Sequence, residues 1–226
     1  MKRSEVNSAI RWAIETLDAN GIRLPALASW SPDEVRSRRS ELDAVRRLSL
    51  GWDVTDFGSG DFAKVGAVLY TVRNGLVDDR TVGVPYCEKY ILMKDGQVMP
   101  SHCHAFKTED IINRVGGELA VRLWNVDQGT YRPLDSAVSV AMDGFRRTFR
   151  PGEEIHVRPG DSVTLTPYVA HSLFPRPGTG DLILGEVSRV NDDNTDNFFL
   201  DPVLRYSKIV EDEPPIRVLC NEYPPA

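Results

Sequence analysis

Two histidines and a glutamate in one short stretch are the residues whose types and spacing most favour chemistry. His102 and His104 are two positions apart, and Glu109 follows five residues later. Side chains two positions apart on a β-strand point to the same face, so we expect the two imidazoles to meet at one point, with Cys103 facing away. Glu109, on the next strand, could add a carboxylate oxygen. Two nitrogens and one oxygen suit divalent Mn, Fe, Co, Ni or Zn.

A metal ion needs more than three ligands, and the chain has four histidines from which another could come. His171 follows a Pro-Gly-Asp turn at residues 159–161 and an alternating Val/Thr/Leu/Thr segment. This pattern predicts that His171 lies at the far end of a second hairpin. His156 has no comparable partners, and we interpret it as structural. His171 is therefore the candidate for the fourth ligand.

These two stretches together resemble the paired motifs of the cupin superfamily. The first motif is matched at every position, by Gly96, His102, His104, Glu109 and Gly116. The second is matched by residues 159–161 and His171, but Pro175 stands where asparagine is usual. That position is not a ligand, so the departure leaves the metal site intact. The resemblance implies an all-β fold, the double-stranded β-helix or jelly-roll barrel, with a metal held by His102, His104, Glu109 and His171.

Composition limits the classes of protein that the chain can belong to. It has 226 residues, 41% of them hydrophobic and 27% charged, which is typical of one globular domain. A net charge of −6 argues against nucleic acid as a partner. The N-terminus is followed by no apolar run, so we expect neither a signal peptide nor a membrane helix. Three widely spaced cysteines favour a reducing cytoplasm over a disulfide framework.

The elements that would position the candidate ligands divide the chain into three parts. Residues 1–48 are predicted to form a helical cap, with one helix over residues 4–20 and a second from Ser31-Pro32 toward Arg47. Residues 49–190 alternate in short segments typical of an all-β barrel, and Asn74-Gly75 indicates a turn. Residues 191–226 are polar and then proline-rich, and we expect them to pack back on the barrel. We treat residues 1–226 as one cupin domain.

Two charged residues are candidates for catalysis beside the metal. Lys107 lies two residues before Glu109, so a shared strand would point it toward the metal, where it could donate a hydrogen bond or a proton to substrate. Glu186 lies on an otherwise apolar strand, where burial without a purpose is costly, and it is the candidate general base. The sequence leaves open that Lys107 is a surface lysine and that Glu186 faces solvent.

Further polar residues are candidates for contact with a substrate. Ser188 shares a face with Glu186, and Lys89 is a weaker candidate of the same kind. Asp192 and Asp193 could each bind a sugar hydroxyl or form a polar turn, and we favour the turn for one of them. We expect Lys89, Ser188 and Asp192 to bind substrate.

Within the cupins, several segments are similar to the bacterial D-lyxose isomerase family. They are residues 52–57, 100–104, 107–114, 185–188 and 191–193. The family interconverts D-lyxose and D-xylulose, and often D-mannose and D-fructose, with Mn²⁺ or a similar divalent ion. The resemblance implies proton transfer between C1 and C2, with Glu186 as base and Lys107 polarising or protonating a substrate oxygen. A metal-assisted hydride shift would use the same ligands.

Three other functions are compatible with the same site. One is an Fe(II)-dependent cupin dioxygenase, although Lys107 and Glu186 favour a polyol substrate. Another is a cupin that binds a sugar or metal without catalysis. The third is a sugar-phosphate isomerase, which would need a phosphate-binding arginine such as Arg122, Arg189 or Arg205. Mn²⁺ is the expected metal, with Co²⁺, Fe²⁺, Ni²⁺ or Zn²⁺ as alternatives. Cupins commonly pair through barrel edges, which predicts a homodimer.

Overall fold

Two antiparallel β-sheets lie face to face in the computed structural model, which describes residues 1–225. Residue 226, the last of the predicted tail, lies outside the described residues. The strands are β1 (Gly51–Thr55), β2 (Ala67–Gly75), β3 (Gly83–Met93), β4 (Met99–Cys103), β5 (Glu109–Gly116), β6 (Leu119–Asn125), β7 (Val138–Met142), β8 (Phe145–Phe149), β9 (Glu154–Val157), β10 (Ser162–Leu165), β11 (Val169–Pro175), β12 (Leu182–Arg189) and β13 (Phe198–Phe199). The predicted all-β architecture is confirmed.

The larger sheet has eight strands in the order β1-β2-β3-β12-β5-β10-β7-β8, and the smaller has five in the order β13-β4-β11-β6-β9. Alternate side chains of both sheets point inward and form the main core. Leu69 and Ile111 of the larger sheet pack in one cluster with Leu123 and Leu173 of the smaller sheet. The metal-ligand candidates lie in this same space between the sheets, so the barrel walls position them.

The N-terminal helix α1 (Arg3–Ala19) covers the outer face of the larger sheet. Its apolar stripe includes Val6, Ile10 and Leu17, and it packs with Trp52 and Tyr70 of the first two strands. The predicted helical extension is therefore confirmed. The helix begins one residue earlier than expected, where the Glu5 carboxylate accepts the backbone N–H of residue 2.

The predicted second helix is wrong in its length. Ser31 caps it as expected, but α2 (Pro32–Ser37) ends early, a 3₁₀ turn spans Arg39–Glu41, and α3 (Asp43–Arg47) follows. Residues 37–41 are all polar, so no apolar side chain holds a continuous helix there against the rest of the protein. Val35 and Leu42, on either side of the break, are buried in one small cluster.

The prediction of a turn at Asn74-Gly75 is also wrong, because β2 continues through both residues. Gly75 lies opposite Gly83, and a side chain on Gly75 would meet the carbonyl oxygen of Val84 at 2.0 Å. Asn74 is buried, and its side chain bonds to backbone elsewhere in the chain. The reversal occurs between β2 and β3, at residues 76–82. Strand β7 lies between β10 and β8, and its alternation of Val138, Val140 and Met142 is a strand signal.

Residues 191–225 lie against the barrel through several backbone contacts. β13 pairs with β4, and the N–H of Cys220 donates to the carbonyl of Trp52 at 2.7 Å. Residue 210 forms a parallel bridge with residue 2, beside the start of α1. Among residues 1–225, none of the helices has the length and apolar character needed to span a membrane.

Candidate metal centre

The four predicted ligands converge from both sheets. His102 is on β4 and lies opposite His171 of β11 in the smaller sheet, and His104 follows directly after β4. Glu109 begins β5 in the larger sheet. All four side chains are buried, and their ligand atoms lie within 4.8 Å of one another. Cys103 packs in a cluster on the opposite face of its strand, as the two-residue spacing predicts.

Distances within the cluster suit a divalent cation. The Nε2 atoms of His102 and His171 are 3.1 Å apart, and Glu109 Oε1 is 3.0 Å from His171 Nε2 and 3.4 Å from His104 Nε2. Ligands about 2.1 Å from one ion are about 3 Å apart when adjacent. His104 Nε2 and Glu109 Oε1 are buried, and among the described residues neither has a partner in hydrogen-bonding geometry. Such atoms are costly to bury, and a bound cation would satisfy both.

Backbone carbonyls orient all three imidazoles. His102 Nδ1 is 2.9 Å and His171 Nδ1 is 3.2 Å from the carbonyl oxygen two residues earlier in the chain, and His104 Nδ1 contacts the carbonyl oxygen of Asp196. A proton on Nδ1 leaves the Nε2 lone pair free for a metal. Burial, together with the neighbouring imidazoles of His171 and His104, lowers the pKa of His102 well below its ordinary value. The ring is therefore in the neutral form that metal binding requires.

Lys107 joins the predicted ligands to a second carboxylate. Its Nζ lies 2.8 Å from Glu109 Oε2, 3.2 Å from Glu186 Oε1 and 3.1 Å from Asn191 Oδ1. The residue is buried, so the interpretation of Lys107 as a surface lysine is wrong. Burial opposes ionisation of Glu109, but the Lys107 ammonium and His104 outweigh it and hold the pKa of Glu109 well below its ordinary value.

Glu186 is buried on β12, so the alternative of a solvent-exposed face is wrong as well. Its Oε1 lies 3.2 Å from Lys107 Nζ and 3.4 Å from Lys89 Nζ, and the Ser188 hydroxyl donates to it at 3.0 Å. Burial raises the pKa of Glu186, but Lys107 and Lys89 lower it by more, so the net shift is downward. The structure therefore holds an ionised carboxylate beside the candidate metal ligands.

A cavity between the two sheets connects these groups. Its polar lining comprises Lys89, His102, His104, Lys107, Glu109, His171, Glu186, Asp193, Asn197 and Arg205. Its apolar lining includes Phe57, Ile91 and Phe199. A small polar molecule with an apolar carbon skeleton suits such a lining.

Two of the residues predicted to contact substrate lie outside this cavity lining. Asp192 does not line the cavity, because its carboxylate accepts the N–H of Asn194 at 3.0 Å and the hydroxyl of Thr195 at 2.6 Å within a turn. Asp193, the other member of the pair, lines the cavity instead. Ser188 is also absent from the lining and contacts Glu186.

Arg205 and its two acidic partners form a group that the sequence pattern does not predict. Arg205 lines the cavity, 2.7 Å from Asp53 Oδ2 and 2.8 Å from Asp193 Oδ2. Burial disfavours the ionised form of Asp193, but Arg205 and the cavity lysines reverse this and lower its pKa. Asp53 and Arg205 are 152 residues apart, so no local pattern connects them.

None of the three arginines considered for phosphate binding brings an unpaired charge to the cavity lining. Arg122 pairs with Glu154 at 3.0 Å on the outer surface, and Arg189 is exposed outside the cavity lining. Arg205 reaches the cavity, but its charge is balanced by two carboxylates. The described part of the site therefore favours an uncharged ligand over a phosphorylated one.

Two curated relatives are similar to the chain over nearly its whole length. A D-lyxose/D-mannose isomerase of Escherichia coli O157:H7 is 43% identical over 224 residues, which covers 99% of this chain and 98% of the relative. A D-lyxose/D-mannose isomerase of Serratia proteamaculans is 43% identical over 225 residues, with the same coverage.

Solved structures of L-ribose isomerases share the fold. A mutant L-ribose isomerase of Acinetobacter sp. DL28 in complex with L-ribose superposes with a TM-score of 0.60 at 16% identity, over 93% of this chain and 98% of that one. The L-ribose isomerase of Cellulomonas parahominis gives 0.55 at 15% identity, with the same coverage. At these identities the likeness shows the fold alone.

The family described as D-lyxose isomerase matches residues 1–223. This match extends over the helical cap, both sheets and nearly all of the C-terminal segment. The chain belongs to the D-lyxose isomerase family.

Proposed function

We propose that the chain is a metal-dependent aldose–ketose isomerase that interconverts D-lyxose and D-xylulose, and also D-mannose and D-fructose. The observation that carries this proposal is the ionised carboxylate of Glu186, buried in the same cavity as the four clustered ligand candidates. A base beside a metal is what transfer of a proton between adjacent carbons requires. Family membership supports the choice of sugars.

His102, His104, Glu109 and His171 would hold the metal, and Mn²⁺ is the ion that we favour among Mn²⁺, Co²⁺, Fe²⁺, Ni²⁺ and Zn²⁺. A bound divalent ion supplies Lewis acidity to the substrate carbonyl and its neighbouring hydroxyl. The Nδ1 contacts of the three histidines support this assignment, because they direct every Nε2 inward.

The chain's own residues would then move the proton. Glu186 takes the C2 proton of the aldose, the C2–H electron pair forms the C1–C2 double bond of a cis-enediol, and Lys107 donates a proton to the former carbonyl oxygen. Glu186 returns its proton to C1 while the C2 hydroxyl gives up its own to regenerate the Lys107 ammonium. The 3.2 Å contact between Lys107 and Glu186 supports this pairing of acid and base.

Lys89, Asp193 and Arg205 are the proposed contacts for the remaining sugar hydroxyls, because all three line the cavity. Ser188 would orient Glu186 through its hydroxyl hydrogen bond. Lys89 would also help keep Glu186 ionised, since its ammonium lies 3.4 Å from the carboxylate.

A reaction in D₂O tests the proposal and its mechanism together. Incubation of the Mn²⁺-loaded protein with D-lyxose should yield D-xylulose with deuterium at C1, as seen by NMR, from those turnovers in which protonated Glu186 exchanges with solvent before it returns a proton to C1. D-xylulose that stays free of deuterium after many cycles of interconversion would support a hydride shift and remove Glu186 as the base. Oxygen uptake without ketose formation by the Fe²⁺-loaded protein would instead support a cupin dioxygenase, and sugar binding without any turnover would support a binding protein.

We also propose that the chain acts as one catalytic domain, in a cytoplasmic homodimer. Strand β8 forms an edge of the larger sheet whose outer side has no strand partner among residues 1–225, and such edges commonly pair between subunits. Cys87, Cys103 and Cys220 are buried and form no disulfide within the described residues, which suits a reducing compartment. Sedimentation equilibrium of the full chain would give the oligomeric state.

A further inference from the structure

Residues 191–200 form a strap beside the cavity, and several contacts fix it in place. The Asn74 side chain accepts the backbone N–H of Asn191 at 3.0 Å and donates to its carbonyl at 2.9 Å. At the other end, β13 pairs with β4, and the N–H of Leu200 donates to the carbonyl of Ser101 at 2.9 Å. The strap therefore runs directly alongside the strand that carries His102.

Asp196, in the middle of the strap, contacts four consecutive residues at the candidate metal centre. Its Oδ1 accepts the N–H of Ala105 at 2.6 Å and that of Phe106 at 3.1 Å, and its Oδ2 accepts the N–H of Lys107 at 2.8 Å. Its backbone carbonyl contacts His104 Nδ1. The side chain is buried, and among the described residues these three N–H groups have no backbone acceptor.

We infer that Asp196 is a positioning residue that fixes the loop between His104 and Lys107, and with it the metal ligand His104. Its carboxylate holds the loop through charge-assisted hydrogen bonds. These hydrogen bonds also place the Asp196 carbonyl next to His104 Nδ1. That contact keeps the proton on Nδ1 and directs Nε2 toward the metal. This inference rests on the proposed metal site.

Loss of the carboxylate should therefore weaken metal binding before any substrate is present. Removing groups that orient metal ligands typically lowers affinity about 10–100-fold. Asp196→Ala should lose at least about tenfold in Mn²⁺ affinity, within that range. Asp196→Asn should lose less, because its carbonyl oxygen can still accept the N–H groups of Ala105 and Phe106. Asp95→Ala is the matched control, since that exposed carboxylate accepts the N–H of Gly178 at 2.9 Å in a distant turn.

The test is titration of the metal-free full chain with Mn²⁺ alone, with free Mn²⁺ followed by electron paramagnetic resonance. Histidine ¹⁵N NMR of the metal-free samples, recorded before Mn²⁺ is added, would report whether His104 keeps a single Nδ1–H tautomer, a property that general destabilisation of a folded chain would not change. We expect weaker binding and a mixed tautomer in Asp196→Ala, with Asp95→Ala like the wild type.

Wild-type affinity in folded Asp196→Ala would overturn the inference while leaving the metal site standing. If Asp196→Ala does not fold, Asp196→Asn serves as the test variant. Unchanged Mn²⁺ affinity with a single His104 tautomer in Asp196→Asn would overturn the inference. A wild-type chain that binds no Mn²⁺ would overturn both the inference and the proposed metal site.

Discussion

At the scale of single residues, the site is a row of buried charges that alternate in sign. Glu109, Lys107, Glu186 and Lys89 follow one another at 2.8, 3.2 and 3.4 Å. An unpaired charge in such a place would be costly, and pairing offsets part of that cost. The row links the candidate metal ligand Glu109 to the proposed base Glu186 through one ammonium group. Changing any member should therefore affect its neighbours.

Glu186→Gln is predicted to retain metal but lose turnover. The amide cannot take a proton from C2, and general-base catalysis contributes about 10²–10⁴-fold, so kcat should fall by about that factor. Mn²⁺ affinity should remain close to that of wild type, because Glu186 is not one of the four clustered ligand candidates. Steady-state kinetics measure the turnover of the variant, and Mn²⁺ titration measures its metal affinity. Glu154→Gln, at a surface ion pair, is the control, and near-normal turnover in Glu186→Gln would remove this residue as the base.

The stability of the metal-free protein should fall as the pH falls below about 6.5. In the unfolded chain His102 takes up a proton near its ordinary pKa of 6.5, whereas burial lowers its pKa in the fold. The unfolded state then binds more protons, so the free energy of unfolding decreases by up to about 1.4 kcal/mol per pH unit for this group. Urea denaturation between pH 7.5 and 5.5 measures the slope. His102→Gln should flatten it, and an unchanged slope in that variant would contradict the prediction.

At the scale of elements, local spacing predicts which side chains share a face of one strand. Where an element ends and which distant residues its side chains contact depend on packing with the rest of the chain. The two-residue spacing of His102 and His104 and the late position of His171 predict the converging ligands, because strand periodicity is local. The break after Ser37 and the continuation of β2 through Asn74-Gly75 depend on packing and on contacts far along the chain. Distant contacts also decide that Asp193 lines the cavity while Asp192 does not. The pairing of Arg205 with Asp53 depends on such contacts as well.

Asn74→Ala is predicted to loosen the strap. The change leaves the backbone N–H and carbonyl of Asn191 without their side-chain partner, and each unsatisfied group costs about 1–3 kcal/mol. We expect the free energy of unfolding to fall by about 2 kcal/mol or more, as measured by urea denaturation. Asn20→Ala, which removes one exposed hydrogen bond, should cost less than about 1 kcal/mol. Equal effects of the two changes would show that the strap does not depend on Asn74.

At the scale of the whole molecule, the site lies where the two sheets face each other. The three histidines come from or directly follow strands of the smaller sheet, while Glu109, Lys89 and Glu186 lie on the larger one. An ion bound by all four clustered residues would therefore cross-link the two sheets. Metal binding should then stabilise the entire fold as well as enable catalysis.

Mn²⁺ is predicted to raise the Tm of the metal-free protein. At a concentration 100 times Kd, ligand linkage adds about 2.7 kcal/mol, and about 2–4 °C per kcal/mol is expected for a chain of this size. Differential scanning calorimetry should therefore show a rise of about 5–10 °C. His171→Ala should remain folded but lose the rise, whereas His156→Ala, which changes a histidine outside the cluster, should keep it. An equal rise in His171→Ala would place the bound metal elsewhere.

The most direct measurement is ketose formation from D-lyxose and from D-mannose by EDTA-treated protein, before and after addition of Mn²⁺. We predict that the treated protein is inactive and that Mn²⁺ restores formation of D-xylulose, faster than that of D-fructose. No ketose from either sugar, with Mn²⁺ demonstrably bound, would contradict the assignment of this chain as a metal-dependent aldose–ketose isomerase.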